Sequence, residues 1–184
     1  MATQAEQDQA FAKKLAALEK NDNLTILASM NQPYDGSGKM TQYVVYTDYQ
    51  NDDRQQKTNS IFVYTPYENI DKYGHSKSDF QCQLLFELNH WDHTLHITVL
   101  ETLGAESRLA FYDFQNLGLA QLALQALLNL ARKGQSEVIN GYISSFDADN
   151  LAKARHIFEK FAFTVTVEKH ENTEAATFEK KRQA

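Results

Sequence analysis

The sequence predicts an α+β fold, an α/β mixed sheet that is mostly antiparallel and twisted, with helices on both faces. Three observations predict it. Segments rich in β-branched and aromatic residues dominate the stretch from Leu24 to Thr102. Beyond it, a leucine-rich helical segment ending near Lys133 and a second ending at Phe158–Phe163 alternate with strand-like runs. Short clusters of Gly, Asn, Asp and Ser punctuate the whole chain, as turns between strands do. With 184 residues and 42% hydrophobic content the chain can bury a full core, and one domain over 1–184 is expected.

The elements follow in order. Ala5 to Lys20 sets Phe11, Leu15 and Leu18 on one face among good helix formers, and Asn21-Asp22-Asn23 stops that helix. Leu24–Met30, Tyr43–Tyr49 and Ile61–Tyr64 read as antiparallel strands, separated by a turn over Pro33–Gly38 and a polar loop over Gln50–Ser60. Tyr67–Gly74 reads as one or two helical turns. Phe80–Leu88 and Thr94–Thr102 read as a hairpin, and Gly104–Ser107 turns into a strand over Arg108–Phe114. Leucines around most of the next helix require cover on more than one side, and Gly134 is its candidate C-cap. In the last helix Leu151, Ala154, Phe158 and Phe161 form one stripe, with Asp147 or Asp149 as candidate N-cap. Phe163, Val165 and Val167 alternate with threonines in a strand, Glu171-Asn172-Thr173 turns, and Ala175–Phe178 closes the fold.

Composition excludes several classes. A net charge of −6 and a pI near 5.5 lack the basic stripe of a nucleic-acid or anionic-membrane binder. The start, Met-Ala-Thr-Gln-Ala-Glu-Gln, has no basic flank followed by an apolar run, and no stretch reaches membrane-spanning length, so a cytoplasmic protein is expected. The single cysteine, Cys82, forms no internal disulfide and reads as a small buried residue of a strand. Exposed edge strands permit a homodimer.

The chemistry concentrates at Gln115-Asn116-Leu117-Gly118-Leu119-Ala120, where a strand gives way to a helix. Such a junction offers an anion the N–H groups of a first helical turn, and a glycine lets a diphosphate approach them. The string fits Q/R-x-x-G-x-G/A. It is followed by a strand over Val138–Ser144, a polar turn ending at Asn150, a helix closing on Phe158-Glu159-Lys160-Phe161-Ala162-Phe163, and another strand. In this order the chain resembles the GNAT superfamily of acyl-CoA-dependent N-acyltransferases, over roughly Phe80 to Phe178. The resemblance implies a central sheet with one splayed parallel strand pair, an acyl-CoA-binding core over 80–184 and a divergent part over 1–79. It implies that the pantetheine arm pairs with the backbone of Phe111, Tyr112, Asp113 and Phe114. The diphosphate would rest on the amides of about Asn116 to Gln121, with Gln115 standing where an arginine is common. It also implies Asn150 near the pantetheine and Phe158 near the thioester sulfur.

The implied reaction is attack of an amine on the thioester of acetyl-CoA or a related acyl-CoA, the acceptor being a small molecule or a peptide. The sequence departs from the family at three points: Phe158 stands where many members carry a tyrosine that protonates the leaving thiolate, Ala162 replaces a glycine, and the Asn150–Phe158 interval is one residue longer. A base is needed for the incoming ammonium; Asp113 and Glu101 are the first candidates, Glu87 and His96 the next. A CoA-binding or protein-interaction module without catalysis is the alternative reading, since phenylalanine has no proton to give. Two other patterns carry less. His90-Trp91-Asp92-His93-Thr94-Leu95-His96 has metal-ligating residue types without a metal spacing, and Gly36-Ser37-Gly38-Lys39 lacks the rest of a phosphate loop, so no metal is expected.

Overall fold

The computed structural model describes residues 3–33, 35–36, 39–50, 58–66, 69–70, 76–77, 79–102, 118–145, 148–171 and 173–182. Along the chain run α1 (Gln4–Glu19), β1 (Thr25–Asn31), β2 (Gln42–Thr47), β3 (Thr58–Tyr64), β4 (Asn69–Ile70), β5 (Ser76–Lys77), β6 (Cys82–Asn89) and β7 (Thr94–Thr102). Then come α2 (Leu119–Lys133), β8 (Val138–Ser145), α3 (Ala148–Lys160), β9 (Thr164–His170) and β10 (Thr173–Lys181). Eight strands form a mixed sheet in the order β1-β2-β3-β6-β7-β8-β10-β9, and β4 pairs with β5 alone. The fold is therefore α+β, as expected. Its β7 and β8 are parallel, from Thr94↔Val138 to Ile97↔Gly141. No described helix is long and apolar enough to cross a membrane.

The chain divides into two compact units, Met1–Gln55 with Asn59–Leu85 and Val99–Leu127, and Gln56–Thr58 with Phe86–Thr98 and Leu128–Ala184. In the first unit, Thr3 starts α1 with a capping box: its hydroxyl accepts from the Glu6 N–H at 3.2 Å while its own N–H donates to the Glu6 carboxylate at 2.7 Å. The apolar stripe of α1 then places Phe11 and Leu18 with Val44, Tyr46 and Tyr64, and Leu15, Leu24, Ile26 and Phe62 pack around them.

In the second unit α3 packs on β8, β10 and β9. Phe158 stacks on Phe178 with centroids 3.9 Å apart and meets Phe163 edge-on at 5.2 Å. Gly141 makes room for this: a Cβ there would collide with the Phe178 ring and lie 2.9 Å from the Ile97 carbonyl oxygen. Phe178 stands directly opposite Gly141 in the β8–β10 register, so the ring covers the glycine that its neighbour strand supplies.

Some expectations are corrected. Residues 69–70 form a short strand where a helical turn is expected from Tyr67–Gly74. β3 begins at Thr58, inside the expected polar loop, and after the exposed Thr58 its polar residues Asn59 and Ser60 are buried: the Ser60 N–H donates to Asp48 at 2.7 Å, and the Thr47 hydroxyl to the Ser60 carbonyl at 2.7 Å. Asn150 lies in the first turn of α3, which starts at Ala148, and Asp149 is likewise inside the helix. Asp and Asn favour turns and helix starts alike, which is why the pattern misplaces the boundary. The last strand extends to Thr173–Lys181. The expected strand over Arg108–Phe114 and the turn over Gly104–Ser107 lie outside the described residues.

Candidate functional site

The motif meets the structure at Gly118, Leu119 and Ala120; Phe111, Tyr112, Asp113, Phe114, Gln115, Asn116 and Leu117 lie outside the described residues. Gly118 adopts φ +82°, a left-handed backbone that side chains disfavour. Its carbonyl accepts the Leu122 N–H at 3.1 Å, the first bond of α2, so Gly118 is the residue that opens the helix. A Cβ built on Gly118 meets nothing within 4 Å. Close packing therefore does not require the glycine. What it secures is the backbone turn at the start of α2, where the first-turn amides have no carbonyl partner within a helix. Leu119, Ala123, Leu124 and Leu127 are all 1% exposed or less and hold this end of α2 in the first unit.

The far end of α2 closes as a Schellman motif. The Ser136 N–H donates to the Ala131 carbonyl at 2.9 Å and the Gln135 N–H to the Arg132 carbonyl at 3.3 Å. The left-handed residue there is Gln135, φ +56°, one position beyond Gly134. Arg132 and Lys133 occupy the last turn, where cations complement the helix dipole.

The other candidate residues are spread over both units. Glu101 is exposed near the end of β7, and its neighbour Thr102 donates to the Cys82 sulfur at 3.7 Å. Burial pushes the Cys82 thiol up to about 12, against which the Thr102 bond lowers it and the Glu101 charge raises it. That is the reverse of an activated nucleophile. Asn150 belongs to the first turn of α3. Phe158 is 1% exposed and enclosed by Phe163 and Phe178. Its lack of a hydroxyl suits that surrounding, because a phenol there would need a hydrogen-bond partner.

The end of α3 shows what position 162 does. The Phe163 N–H donates to the Phe158 carbonyl at 3.0 Å and the Ala162 N–H to the Glu159 carbonyl at 3.0 Å, with Ala162 at φ +64°. Ala162 thus holds the left-handed position of a Schellman motif, where glycine is the unstrained choice. Lys180 completes the end by donating to the Phe161 carbonyl at 2.8 Å.

The histidine-rich segment forms the β6–β7 turn. Asp92 accepts from the Thr94 N–H at 3.0 Å, His93 has φ +57°, and Trp91 is 96% exposed. Among the described residues no group of three or more His, Cys, Asp or Glu is placed to hold a metal. One residue pair escapes a reading by sequence spacing alone: His96 on β7 and Asn140 on β8 are 44 residues apart, yet their Nδ1 and Oδ1 atoms lie 2.7 Å apart. Only the parallel register of the two strands brings them together.

No family model and no curated protein sequence matches the chain. Solved structures similar to it include an acetyltransferase from Bacillus cereus, 16% identical over 73% of this chain and 80% of that one, with a TM-score of 0.44. Nourseothricin acetyltransferase is 11% identical over 92% of this chain and 93% of that one, TM-score 0.44. The PaiA N-acetyltransferase of Thermoplasma acidophilum, solved in complex with coenzyme A, is 9% identical over 68% of this chain and 61% of that one, TM-score 0.44.

Proposed function

We propose that the chain is a divergent GNAT-fold N-acyltransferase that moves an acetyl or related acyl group from acyl-CoA to an amine. The observation that carries this reading is Gly118: a left-handed residue opening a buried, leucine-rich helix, with open space where its side chain would be. The motif 115–120 around it supplies the residue pattern. In this reading the amides at the start of α2 hold the diphosphate. Residues 111–114 accompany the pantetheine arm, with Asn150 beside it. Asp113 and Glu101 are the carboxylates assigned to proton removal, and the acceptor is a small-molecule or peptide amine.

Phe158 contributes packing to this site and no proton. A leaving thiolate, with a free pKa near 8.5, is protonated by water or by the amine itself. The same residue favours the second reading, a CoA-binding module that performs no transfer, since a phenylalanine has no proton to give the leaving thiolate.

The test is thermal unfolding with CoA, acetyl-CoA and ADP, followed by thiol release from acetyl-CoA with amines. A ligand present at a hundred times its Kd and binding only the folded state stabilises by about 2.7 kcal/mol. The expected result is a saturable rise in Tm with both CoA species that Gly118→Glu abolishes, and amine-dependent thiol release. A Tm rise without thiol release selects the binding module. No rise at millimolar CoA removes both readings.

A further inference from the structure

At one end of the second unit's sheet, Thr94, Val138 and Lys181 stand in one row across β7, β8 and β10. Just beyond that row the chain makes the turn over residues 90–93, and side chains brace it from within. The Trp91 N–H donates to Asn89 Oδ1 at 3.0 Å, the Thr94 N–H to Asp92 Oδ1 at 3.0 Å, and the Asn89 amide group to the other Asp92 oxygen at 3.4 Å. The His93 carbonyl accepts the Glu137 N–H at 2.8 Å, and the Glu137 carbonyl accepts the Arg182 N–H at 2.7 Å. Turn, start of β8 and end of β10 are thereby tied into one surface. From it projects Trp91, the only tryptophan of the chain, 96% exposed.

Four exposed cations share this end: Arg132 and Lys133 in the last turn of α2, which closes at Ser136 beside Glu137, and Lys181 and Arg182 at the end of β10. The carboxylates there are Asp92, whose two oxygens the turn takes up, Glu137, and Glu179, 3.8 Å from Lys181. A chain with a net charge of −6 thus gathers cations around its most exposed aromatic ring. Among the described residues the only other exposed large hydrophobic is Tyr142, further along β8, so the indole has no apolar patch around it of the kind that forms the centre of a protein–protein interface. A lone indole among cations suits a lipid headgroup layer instead, which takes up the amphipathic ring without a matching pocket and attracts Lys and Arg through its own negative charge. We propose that this end of the second unit anchors the protein to an anionic lipid surface, Trp91 entering the headgroup layer while Arg132, Lys133, Lys181 and Arg182 meet the lipid phosphates. The whole-chain charge that argues against such a surface averages over this local arrangement. The proposal stands on the second unit alone and is independent of the acyltransferase reading.

Because Trp91 is the only tryptophan, its fluorescence reports this site and no other. The experiment titrates the full chain with vesicles of phosphatidylserine and phosphatidylcholine in equal parts, with vesicles of phosphatidylcholine alone, and with poly-glutamate, and measures vesicle co-sedimentation of the variants. The expected outcome is a saturable shift of the emission to shorter wavelength with the anionic vesicles only, reversed in about 1 M salt, where the screening length falls to roughly 3 Å. Trp91→Ser should weaken co-sedimentation on the order of tenfold, as loss of a half-buried indole would. Lys133→Gln combined with Arg182→Gln should weaken it about 25-fold, roughly fivefold for each cation near the surface. Both variants change exposed side chains, and an unchanged Tm shows that they fold. Emission that anionic vesicles leave unmoved overturns the proposal, as does equal binding to phosphatidylcholine alone or undiminished binding by either variant. A shift with poly-glutamate and none with vesicles also overturns it, in favour of an acidic polypeptide.

Discussion

The two units solve the problem of a sheet interior in different ways. In the first, Thr41, Gln42, Thr47, Asn59, Ser60, Thr65 and Gln81 are all buried; in the second, Ser136 is the one buried polar residue, counting described residues. The first unit bonds several of these polar groups to neighbouring helix, strand and loop residues, while Gln42 Oε1 and Thr65 Oγ1 have no partner among the described residues. Gln42 donates to Asp8 at 3.0 Å and Asn31 at 2.8 Å, and Gln81 accepts the Thr65 N–H at 2.7 Å. The second unit has an aromatic stack over a glycine. A bonded interior specifies strand register through direction-dependent contacts, whereas an aromatic one derives its free energy from area and close packing. The difference shows most clearly in the treatment of a single ring. Tyr46, 4% exposed and stacked on Phe62 at 5.0 Å, has its hydroxyl bonded to the Asp79 carbonyl at 3.0 Å, while Phe158 has the stack alone.

The largest expected effect breaks the stack. Phe178 touches Phe158 and Phe163 and covers Gly141, so Phe178→Ala removes a ring from three contacts and opens a cavity. A loss of about 3–5 kcal/mol is expected from denaturant unfolding of the full chain. A loss under about 1 kcal/mol would mean that the stack collapses freely around the gap and does not organise the second unit.

Phe158→Tyr sharpens the contrast further. It restores the residue that the family resemblance would place there, but it puts a hydroxyl into a site 1% exposed. Burying that group without a partner costs about 1–3 kcal/mol. The expected result is a less stable protein with no faster thiol release. Unchanged stability with faster release would show that the ring edge reaches an open cleft.

The same contrast determines what was legible in the sequence. Apolar periodicity finds α1, α2, α3 and most strands, because their buried faces repeat at helical or strand spacing. β3 is misread at its start because Thr58, Asn59 and Ser60 look like loop residues; Asn59 and Ser60 are nevertheless buried, and Ser60 is bonded to Thr47 and Asp48. The pair His96–Asn140 is invisible for the same reason, since strand register is a long-range property that no local pattern encodes. Gly118 is legible because a left-handed helix start needs a particular residue type, so its sequence signal is local.

Alkaline pH should act on the first unit. Cys82 and Tyr46 both have raised pKa values, chiefly from burial, Cys82 to about 12. A buried acid of this kind favours the fold while protonated. Its contribution is fully present below its ordinary value, 9.0 for the thiol and 10.0 for the phenol, and is lost as pH rises through the folded-state value. The urea midpoint should therefore fall above pH 9, and Cys82→Ala should flatten the earlier part of that fall. An identical slope in the variant would show that the thiol is reached by solvent in the folded protein.

The smallest effect compares two left-handed residues, one in each unit. Ala162 at φ +64° ends α3, and Gly118 at φ +82° begins α2. Alanine at such a position costs about 1–2 kcal/mol that glycine does not, and glycine returns roughly half of the gain as unfolded-chain entropy. Ala162→Gly should then stabilise by about 0.5–1 kcal/mol, raising Tm without altering CoA affinity. Gly118→Ala should destabilise by a similar amount, since a Cβ there meets no atom and only the backbone objects. If Gly118 serves the turn alone, the two substitutions are mirror images and ligand binding ignores both. If the diphosphate rests against that backbone, Gly118→Ala weakens CoA binding as well, by more than its cost in stability accounts for. A methyl group too small to disturb the packing of the protein would then be large enough to be felt by the ligand.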